Sequence, residues 1–444
     1  MIEDISSSMT FVDTFNWMVF LIFTLCYGYQ IIYAILTFFK KTPKLTAKAN
    51  HKYAVLIPAR NESAVIGNLI HSIHVQNYPS HLIDIFVIAD NCTDNTAQVA
   101  RKAGARVIVR HNKEKVGKGY ALDYGFSVIR RDYADENYEA YFVFDADNVL
   151  DENYFREMNV VFDNGAEAST SYRNSKNFGS NWISAGYGIL FLREAKFLSQ
   201  ARLACNTSCA ISGTGWFISA KIIEKNDGWR WFLLTEDIEF SVNSVIEGIN
   251  ISYCPTAIIY DEQPVTFRDQ WNQRFRWAKG FYQVFGCYGW KLFKGMFVNK
   301  HGNRWAHYDM LMTVSPAMLL TIATLAFNTA VIALGVLGYI PMGVVTASAL
   351  TSMFYYVLNF CLFNLAYSIL TVAVEWKSIR IPAHQKIKYA LTYPLFQAIN
   401  IPIVVVALFG RAKWKPIPHN ISVDVAEFAK AASLAGGTDK GDFN

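Results

Sequence analysis

The sequence predicts an α/β domain with a mostly parallel sheet, inserted between an N-terminal transmembrane helix and a C-terminal bundle of transmembrane helices. Three observations predict this fold class. Residues 14–39 and 310–374 carry no charged side chain, whereas residues 53–144 alternate the patterns of buried strands and amphipathic helices. Hydrophobic residues make up 52% of the 444 and charged residues only 17%. That composition is too apolar for an ordinary soluble enzyme.

The first apolar stretch, residues 14–39, is long enough to span a bilayer. Acidic residues precede it, and the residues after it include Lys40, Lys41, Lys44, Lys48 and Lys52. A cleaved signal peptide would show the reverse order of charge. The positive-inside rule therefore predicts a transmembrane helix within residues 1–40 and places the following domain in the cytoplasm. We thus expect a multi-pass protein of the cell membrane.

The net charge of +5 is mild, and no basic tract with interleaved aromatic residues occurs. We therefore expect no nucleic-acid partner. The seven cysteines are scattered, and the spacing of Cys205 and Cys209 fits no common zinc site. Reduced thiols on a cytosolic face are the favoured interpretation.

Residues 50–265 are predicted to form the α/β domain. Buried strands are expected at residues 53–57, closed by Pro58, and at 84–90, 106–110 and 141–144. A helix after the first strand carries one apolar face, formed by Val65, Ile66, Leu69, Ile70 and Ile73. In parallel sheets, ligands bind beyond the carboxyl ends of the strands. Polar residues cluster there, namely Arg60, Asn61, Glu62, Asp90, Asp94, Asp145 and Asp147.

The pair Asp145 and Asp147 follows a buried strand directly. Two carboxylates spaced i, i+2 at a strand end can point into a cleft together, and their oxygens suit Mg²⁺ or Mn²⁺ completed by substrate phosphates and water. A solvated turn is the alternative.

Flexible backbone surrounds the lysine of Gly117-Lys118-Gly119, which suits an approach to a phosphate or a base. The segment lacks the spacing of a P-loop, and a surface turn is its alternative. Asp237 follows Thr235 and Glu236 after an apolar run, where a carboxylate can gain a raised pKa and act as a general base. The alternative is a helix capped by Thr235 with acids in its first turn.

Residues 266–306 are predicted to form amphipathic interface helices. On a helical wheel, one apolar stripe comprises Phe267, Trp271, Phe275, Ala278, Tyr282 and Phe285. Gln273, Arg276 and Trp277 fall on the opposite face. An arginine fork suits a diphosphate and an indole suits a sugar ring, although an ordinary amphipathic helix with one stray tryptophan is equally compatible. Residues 291–304 are rich in Lys and Arg, as suits the inner leaflet.

About three transmembrane helices are expected within residues 309–410. A break at residues 338–343 divides the uncharged stretch into two spans, and the basic loop at 377–388 is expected in the cytoplasm. Pro394 and Pro402 indicate a broken or re-entrant last segment, which leaves the side of the C-terminus open. The tail, residues 411–444, is expected to be loosely ordered from about residue 425.

A set of motifs occurs in a fixed order along the chain and is flanked by membrane spans. In that order they are the strand-end acids, the Gly-Lys-Gly loop, the Asp-x-Asp, the Thr-Glu-Asp and the Gln-x-x-Arg-Trp. This set resembles the processive membrane-embedded family-2 glycosyltransferases, such as hyaluronan, cellulose, chitin-oligosaccharide and poly-N-acetylglucosamine synthases. The resemblance covers residues 53–289 by motif and implies a GT-A-type nucleotide-sugar-binding domain. The strand end Ala-Asp-Asn-Cys-Thr-Asp departs slightly from the commonest family form, and no C-terminal cyclic-di-GMP-binding domain follows.

The resemblance also implies roles for individual residues. Glu62 and Asp90 would hold the uridine of a UDP-sugar, and Lys118 would reach the nucleotide. Asp145 would contact the nucleoside or a Mg²⁺ or Mn²⁺ ion, and Asp147 would bind that ion at the diphosphate. The acceptor side would comprise Gly213, Thr214, Gly215, Glu236 and Trp277. Gln273 and Arg276 would hold the diphosphate, and Asp237 would deprotonate the acceptor hydroxyl.

These roles imply an inverting transfer from a UDP-sugar to the growing end of a β-linked polysaccharide, coupled to secretion through the transmembrane helices. Two alternatives stay open. One is a non-processive enzyme that glycosylates a lipid, such as a polyprenyl phosphate or a diacylglycerol. The other is a non-catalytic transporter or scaffold, which gives no reason for the set of acids. The sugar, the linkage and the oligomeric state are not predicted.

Overall fold

The computed structural model describes residues 10–40, 44–298, 303–314, 316–340, 343–411, 419 and 421. The first apolar stretch is helical, with α1 at Phe11–Tyr27 and α2 at Tyr29–Phe39, joined at Gly28. Thr10 caps α1, because its hydroxyl accepts the Asp13 amide while the Asp13 carboxylate accepts the Thr10 amide. The loosely ordered tail predicted after residue 425 lies outside the described residues.

A single eight-stranded sheet forms the centre of the α/β domain. Its strands are β1 (Tyr53–Ala59), β2 (Ile83–Asp90), β3 (Arg106–Arg110), β4 (Ala140–Val143), β5 (Val149–Leu150), β6 (Ala168–Ser175), β7 (Trp216–Ser219) and β8 (Ile251–Asp261). Their spatial order is β3-β2-β1-β4-β7-β6-β8-β5. The first four pair in parallel, β7 is antiparallel to both neighbours, and β8 is parallel to β6 but antiparallel to β5.

The predicted strands are confirmed with small shifts of their ends. The first strand was expected to close at Pro58, yet β1 runs on to Ala59, because Pro58 continues to pair in register with Ile88 of β2. The three others match β2, β3 and β4 to within one residue.

Helices cover both faces of the sheet. One face packs against α3 (Ile66–His74), α4 (Thr96–Lys102) and α6 (Tyr154–Asp163), and the predicted apolar face of α3 is buried there. The other face packs against α5 (Lys118–Asp132), α7 (Trp182–Arg193), α9 (Ala220–Lys225) and α10 (Glu236–Glu247). A π-helical turn, Glu194–Ser199, connects α7 to α8 (Gln200–Ala204). The mixed α/β sheet between terminal apolar helices confirms the predicted fold class.

The described residues after β8 form six helices: α11 (Phe267–Phe297), α12 (Arg304–Val314), α13 (Pro316–Val336), α14 (Val344–Val374), α15 (Ala383–Ala398) and α16 (Asn400–Phe409). Three stretches of the described chain are long and apolar enough to cross a membrane, namely Phe11–Phe39, Val345–Val374 and Ala383–Phe409. Leu320–Val336 is a shorter apolar helix.

The last apolar segment is broken at Ile399, between the two prolines that indicated a break. Pro394 cannot donate to the Ala390 carbonyl, and the Ser368 hydroxyl of α14 donates to that oxygen instead, at 2.8 Å. At the break, the Arg274 guanidinium of α11 donates to the Phe396 carbonyl at 2.9 Å and lies 3.8 Å from the centre of the Phe396 ring. Side chains of α14 and α11 therefore donate hydrogen bonds to backbone carbonyls near the break.

The predicted apolar stripe of α11 has a protein partner. Trp271, Phe275, Ala278 and Tyr282 pack against a cluster on α16 that comprises Ile403, Val404 and Ala407. Phe267, at the start of the stripe, is exposed. Most of the stripe therefore packs against α16 and is not free to face lipid.

A buried ion pair joins the α/β domain to the N-terminal helix. Both nitrogens of the Arg202 fork donate to Asp309 of α12, at 2.8 and 2.7 Å, and both side chains are almost fully buried. The hydroxyls of Tyr29 and Tyr33 on α2 donate to the same carboxylate, at 2.9 and 3.1 Å. Four side chains from α2, α8 and α12 thus satisfy one another's buried charges and hydrogen-bonding groups.

Candidate active site

A cleft of about 370 Å³ opens at the carboxyl ends of β1, β2 and β4, where the parallel strands direct their terminal side chains. The other segments around it are the start of α5, the ends of α7 and β8, the start of α10 and the first half of α11. Its size is that of a small-molecule site. Most predicted site residues line it: Glu62, Asp90, Lys118, Asp145, Asp147, Gly213, Glu236, Asp237, Gln273, Arg276 and Trp277.

Lys118 links two of the predicted motifs at the centre of the cleft. Its ammonium donates to Asp145 Oδ1 and to the Gly213 carbonyl, both at 2.6 Å. Burial by itself lowers the pKa of Lys118, but the carboxylates of Asp145, Glu236 and Asp237 outweigh burial and leave that pKa raised. Lys118 is also the first residue of α5, whose N-terminal amides favour an anion.

Two of the expected nucleoside contacts are engaged with protein cations. Asp90 is buried, and its Oδ1 accepts from Arg110 at 2.6 Å. Burial raises the pKa of Asp90 although Arg110 opposes the shift. Glu62 lies 3.1 Å from His419 Nδ1 through both of its oxygens. Burial likewise raises the pKa of Glu62, against the effect of His419.

Asp145 and Asp147 fit a divalent cation. Asp147 is buried, its Oδ2 accepts the Glu262 amide at 2.8 Å, and Asp145 lies more open to the cleft. Burial opposes ionisation of Asp147, but His419 and Lys176 outweigh it and lower the pKa of that carboxyl. No group of three or more His, Cys, Asp or Glu within the described part of the chain could hold a metal alone. Two carboxylates completed by substrate oxygens and water are the donor set that Mg²⁺ accepts.

The turn before β7 shapes the floor of the cleft, with Gly213 at φ +82° and Gly215 at φ +69°. Of the three residues predicted on the acceptor side, Gly213 lines the cleft, whereas Thr214 and Gly215 are not among its lining residues. The buried Thr214 hydroxyl accepts the Asp145 amide at 2.9 Å, and a Cβ at Gly215 would lie 2.5 Å from Ile259. Thr214 therefore supports the backbone of Asp145.

Glu236 and Asp237 occupy the first turn of α10, as the alternative interpretation of Thr-Glu-Asp predicted. Thr235 precedes the helix but makes no side-chain cap, and its buried hydroxyl has no partner among the described residues. Burial and the neighbouring Asp237 raise the pKa of Glu236 to about 7. Burial also raises the pKa of Asp237, although Lys118 opposes it. A carboxylate shifted toward neutrality suits proton acceptance.

The polar face of α11 enters the cleft as predicted. Arg276 has no carboxylate partner among the described residues, and its charge is felt at Glu236. Gln273 Oε1 is buried and lacks a hydrogen-bond partner within the described chain. Trp277 lies edge-on to Tyr187, with ring centres 5.8 Å apart and an interplanar angle of 88°. Among the described residues, the helix thus brings a cation without a carboxylate partner, an unpaired amide oxygen and an indole to one wall.

Sequence reasoning missed several residues that line the cleft, namely Arg173, Glu194, Asp261, Glu262 and His419. The rule applied to the other strand ends could have found Arg173 and Asp261, since both stand near the carboxyl ends of β6 and β8. No local signal pointed to His419, which follows the last helix and reaches Glu62, 357 residues away along the chain.

Comparison with known proteins identifies the family of the chain. The model of the family described as "Glycosyltransferase like family 2" matches residues 50–280, more than half of the chain. The chain belongs to glycosyltransferase family 2. A mannosyltransferase from Pyrobaculum calidifontis, solved with GDP-Man and Mn²⁺, aligns over 89% of this chain and 99% of its own with a TM-score of 0.53 at 15% identity. That likeness supports a GT-A fold for this glycosyltransferase.

Curated relatives within the family act on different acceptors. A probable glycosyltransferase of Bacillus subtilis (strain 168), YdaM, is 29% identical over 55% of this chain and 59% of its own. A beta-monoglucosyldiacylglycerol synthase of Synechocystis (strain PCC 6803) is 24% identical over 56% and 54%. A poly-beta-1,6-N-acetyl-D-glucosamine synthase of Staphylococcus aureus (strain COL) is 25% identical over 55% and 58%. The glycosyltransferase described here spans a little over half the length of these relatives.

Proposed function

We propose that the protein transfers a sugar from a UDP-sugar to the growing end of a β-linked polysaccharide, with inversion at the anomeric carbon. The observation that carries this proposal is the convergence of Lys118, Asp145, Asp237 and Arg276 on one cleft. A candidate base, a candidate metal pair and an unpaired cation are the parts that an inverting transfer from a nucleotide sugar requires.

The donor would occupy the end of the cleft that contains Glu62, Asp90 and the start of α5. The N-terminal amides of α5 and the Lys118 ammonium favour the diphosphate, and Arg276 would neutralise charge as the diphosphate departs. Asp145 and Asp147 would hold a Mg²⁺ or Mn²⁺ ion, which offsets the negative charge of the diphosphate when bound. Gln273 Oε1, an acceptor without a partner in the described chain, suits a sugar hydroxyl.

In the proposed reaction, Asp237 takes the proton of the acceptor hydroxyl. The hydroxyl oxygen forms a bond to the anomeric carbon from the face opposite the diphosphate, and the bond from that carbon to the diphosphate oxygen breaks. UDP leaves with the electron pair, so an α-linked donor gives a β-linkage. Trp277 would stack against the acceptor sugar and hold the hydroxyl near Asp237.

Membrane placement follows from the charge pattern of the sequence and from the apolar helices. The helix Phe11–Phe39 and the helices after residue 309 would anchor the enzyme as a multi-pass protein of the cell membrane. The lysines after residue 40 support a cytoplasmic position of the α/β domain, where UDP-sugars would reach it. The product would leave through the bundle of transmembrane helices.

UDP release by the purified full-length protein tests the proposal. A panel of UDP-sugars is supplied with Mg²⁺, with Mn²⁺ or with a chelator, and Asp237→Asn is measured beside the wild type. We expect release with one donor, dependence on the ion, and a loss of about 10²- to 10⁴-fold in Asp237→Asn. No release with any donor, or full activity in Asp237→Asn, contradicts the proposal.

A lipid acceptor is the second candidate, and a specific observation favours it. Part of the cleft lining is apolar and comprises Leu190, Phe191, Leu234, Ile238 and Phe281. Such a lining would suit the apolar part of a membrane lipid, and one relative is named a beta-monoglucosyldiacylglycerol synthase. Incubation with a radiolabelled UDP-sugar separates the two cases. Label in a long water-soluble product supports the polysaccharide, whereas a single addition that extracts into organic solvent supports the lipid.

A further inference from the structure

Arg173 is a mostly buried arginine at the edge of the cleft, and the proposed reaction gives it no role. Arg173 stands near the end of β6, and its side chain is 14% exposed although it borders the cleft. Its Nε donates to Asp261 Oδ2 at 2.7 Å, and its Nη2 contacts the same oxygen. The remaining terminal nitrogen, Nη1, donates to the Ser212 carbonyl at 2.7 Å.

Protein groups engage all three nitrogens of the Arg173 guanidinium, which leaves one further N–H on each terminal nitrogen. Its plane lies 3.6 Å from the centre of the Phe191 ring, so one face is covered, and each of its nitrogens has a protein acceptor. Asp261 is 3% exposed and is itself fixed by Gln263, whose amide donates to Oδ1 at 2.6 Å. An arginine held in this way orients its acceptors rather than recruiting a ligand.

The Ser212 carbonyl belongs to the same peptide unit as the Gly213 amide. That amide lies beside the Asp237 carboxylate, since a Cβ at Gly213 would lie 4.0 Å from Asp237 Oδ2, and it is among the groups that oppose the rise in the pKa of Asp237. Because a trans peptide is planar and its C=O and N–H point in opposite directions, Arg173 and Asp237 bind the two ends of one rigid unit. A charge-assisted bond at the carbonyl also polarises the peptide and strengthens its N–H as a donor.

Other contacts fix the same turn. The Ser212 hydroxyl donates to Glu194, and the Gly213 carbonyl accepts from Lys118. Charged groups lie close to Gly213, since a Cβ there would lie 3.7 Å from Arg173 Nη1 and 4.0 Å from Asp237 Oδ2. A small rotation of this peptide would therefore move the donor away from the base.

We propose that Arg173, held by Asp261, is a positioning residue that orients the Ser212–Gly213 peptide and, through the Gly213 amide, the carboxylate of Asp237. The inference rests on the proposed function, because it takes Asp237 as the base. Loss of Arg173 would let the peptide rotate and would withdraw a donor from the Asp237 carboxylate. The base would then be misplaced and would hold its proton more tightly.

The test uses the full-length protein, the donor that the wild type turns over, and the variants Arg173→Gln, Arg173→Lys and Asp261→Asn. We expect Arg173→Gln to lower kcat about 100-fold at an unchanged KM for the donor, as a misplaced catalytic group does. The acid limb of the kcat profile should move to higher pH, because the carboxylate has lost a donor. Arg173→Lys, which keeps one donor for the Ser212 carbonyl, should recover part of kcat.

A matched control is Arg130→Gln, which breaks an exposed Arg–Asp pair with Asp227 away from the cleft and should leave kcat unchanged. Because Arg173 and Asp261 act as one unit, the double variant Arg173→Gln/Asp261→Asn should lose no more than Arg173→Gln alone. UDP binding measured by calorimetry shows which variants are folded. If Arg173→Gln does not fold, the pH profile of Arg173→Lys takes its place.

Several outcomes would overturn the inference. A wild-type kcat and pH profile in Arg173→Gln would do so while Asp237→Asn remains inactive, and the proposed function would then stand without it. A raised donor KM at normal kcat would make Arg173 a donor-binding residue instead. Full activity in Asp237→Asn, or no turnover of any UDP-sugar by the wild type, would remove the proposed function and the inference together.

Discussion

The ammonium of Lys118 lies 2.6 Å from Asp145 Oδ1, which makes one charged unit of two motifs that are 27 residues apart. The same ammonium reaches the Gly213 carbonyl, so the Gly-Lys-Gly loop, the Asp-x-Asp and the turn before β7 meet at a single cation. The donor diphosphate of the proposed reaction would enter beside this cation.

The first prediction concerns that cation. Lys118→Gln leaves the carboxylates of Asp145, Glu236 and Asp237 without their nearest positive charge. We expect the KM for the donor to rise tenfold or more, since hydrogen bonds to charged groups contribute about 1.5–3 kcal/mol. Steady-state UDP release measures the effect, and Lys113→Gln on the exposed loop is the control. An unchanged KM in Lys118→Gln would contradict the role.

The second prediction is a pH dependence of stability. Glu236 has a folded-state pKa of about 7 against an ordinary value of 4.5, so the folded protein holds this proton more tightly than the unfolded chain. The stabilisation is therefore fully present below pH 4.5 and is lost as pH rises to about 7. Glu236→Gln lacks this loss, so its melting temperature relative to the wild type should rise between pH 4.5 and 8. Thermal scans at both values measure it. The exposed variant Glu114→Gln should show no such trend.

The third prediction concerns two neighbouring residues of α11, Arg276 for donor binding and Trp277 for acceptor binding. Arg276→Ala removes the unpaired cation of the cleft and should weaken donor use, seen as a tenfold or greater loss of kcat/KM for UDP-sugar hydrolysis and transfer alike. Trp277→Ala should reduce transfer to the acceptor and spare UDP binding, because the indole would stack on a sugar. Calorimetric binding of UDP to both variants distinguishes them. Equal losses of UDP binding would refute the division.

The fourth prediction compares two helical glycines. A Cβ at Gly119, in the first turn of α5, would lie 2.4 Å from the Trp231 carbonyl, whereas one at Gly286 in α11 meets no atom within 4 Å. Gly119→Ala must displace the backbone next to the Thr-Glu-Asp segment and should cost about 1–3 kcal/mol. Gly286→Ala should stabilise the helix by up to ~1 kcal/mol. Apparent melting temperatures in detergent should move in opposite directions. A shift of the same sign in both would count against this packing.

The fifth prediction concerns the ion pair between Arg202 and Asp309. Asp309→Ala leaves a buried guanidinium without its partner and should cost about 3–5 kcal/mol. The comparable variant Asp227→Ala breaks the exposed pair with Arg130 and should cost at most about 1 kcal/mol. Thermal unfolding of both variants provides the comparison. A similar, small loss in each would show that the buried pair does not secure the N-terminal helix to the α/β domain.

Much of the architecture could be predicted because its causes are local. Buried strands, the apolar face of α3 and the long uncharged helices follow from hydrophobic patterns within single segments. The clustering of Asp90, Asp145 and Asp147 was predictable for a related reason, since the carboxyl ends of parallel strands meet at one edge. Helical geometry also put Gln273, Arg276 and Trp277 on one face of α11, and that face lines the cleft.

Contacts between segments that lie far apart along the chain could not be predicted from the sequence. The stripe of α11 signals an apolar partner but not which one, and only the tertiary structure shows that α16 provides it. In the same way, a glycine-rich turn does not reveal that Thr214 supports Asp145 from behind the cleft.

By itself, the sequence determined the fold class, the edge of the sheet where a ligand would bind, and most of the polar residues there. Tertiary structure alone decided which groups hold those residues: Arg173 behind the Ser212–Gly213 peptide, and His419 against Glu62. The physical reason is that periodicity reports which face of an element is apolar. The partner of a buried charge is instead set by the packing of segments that lie far apart along the chain.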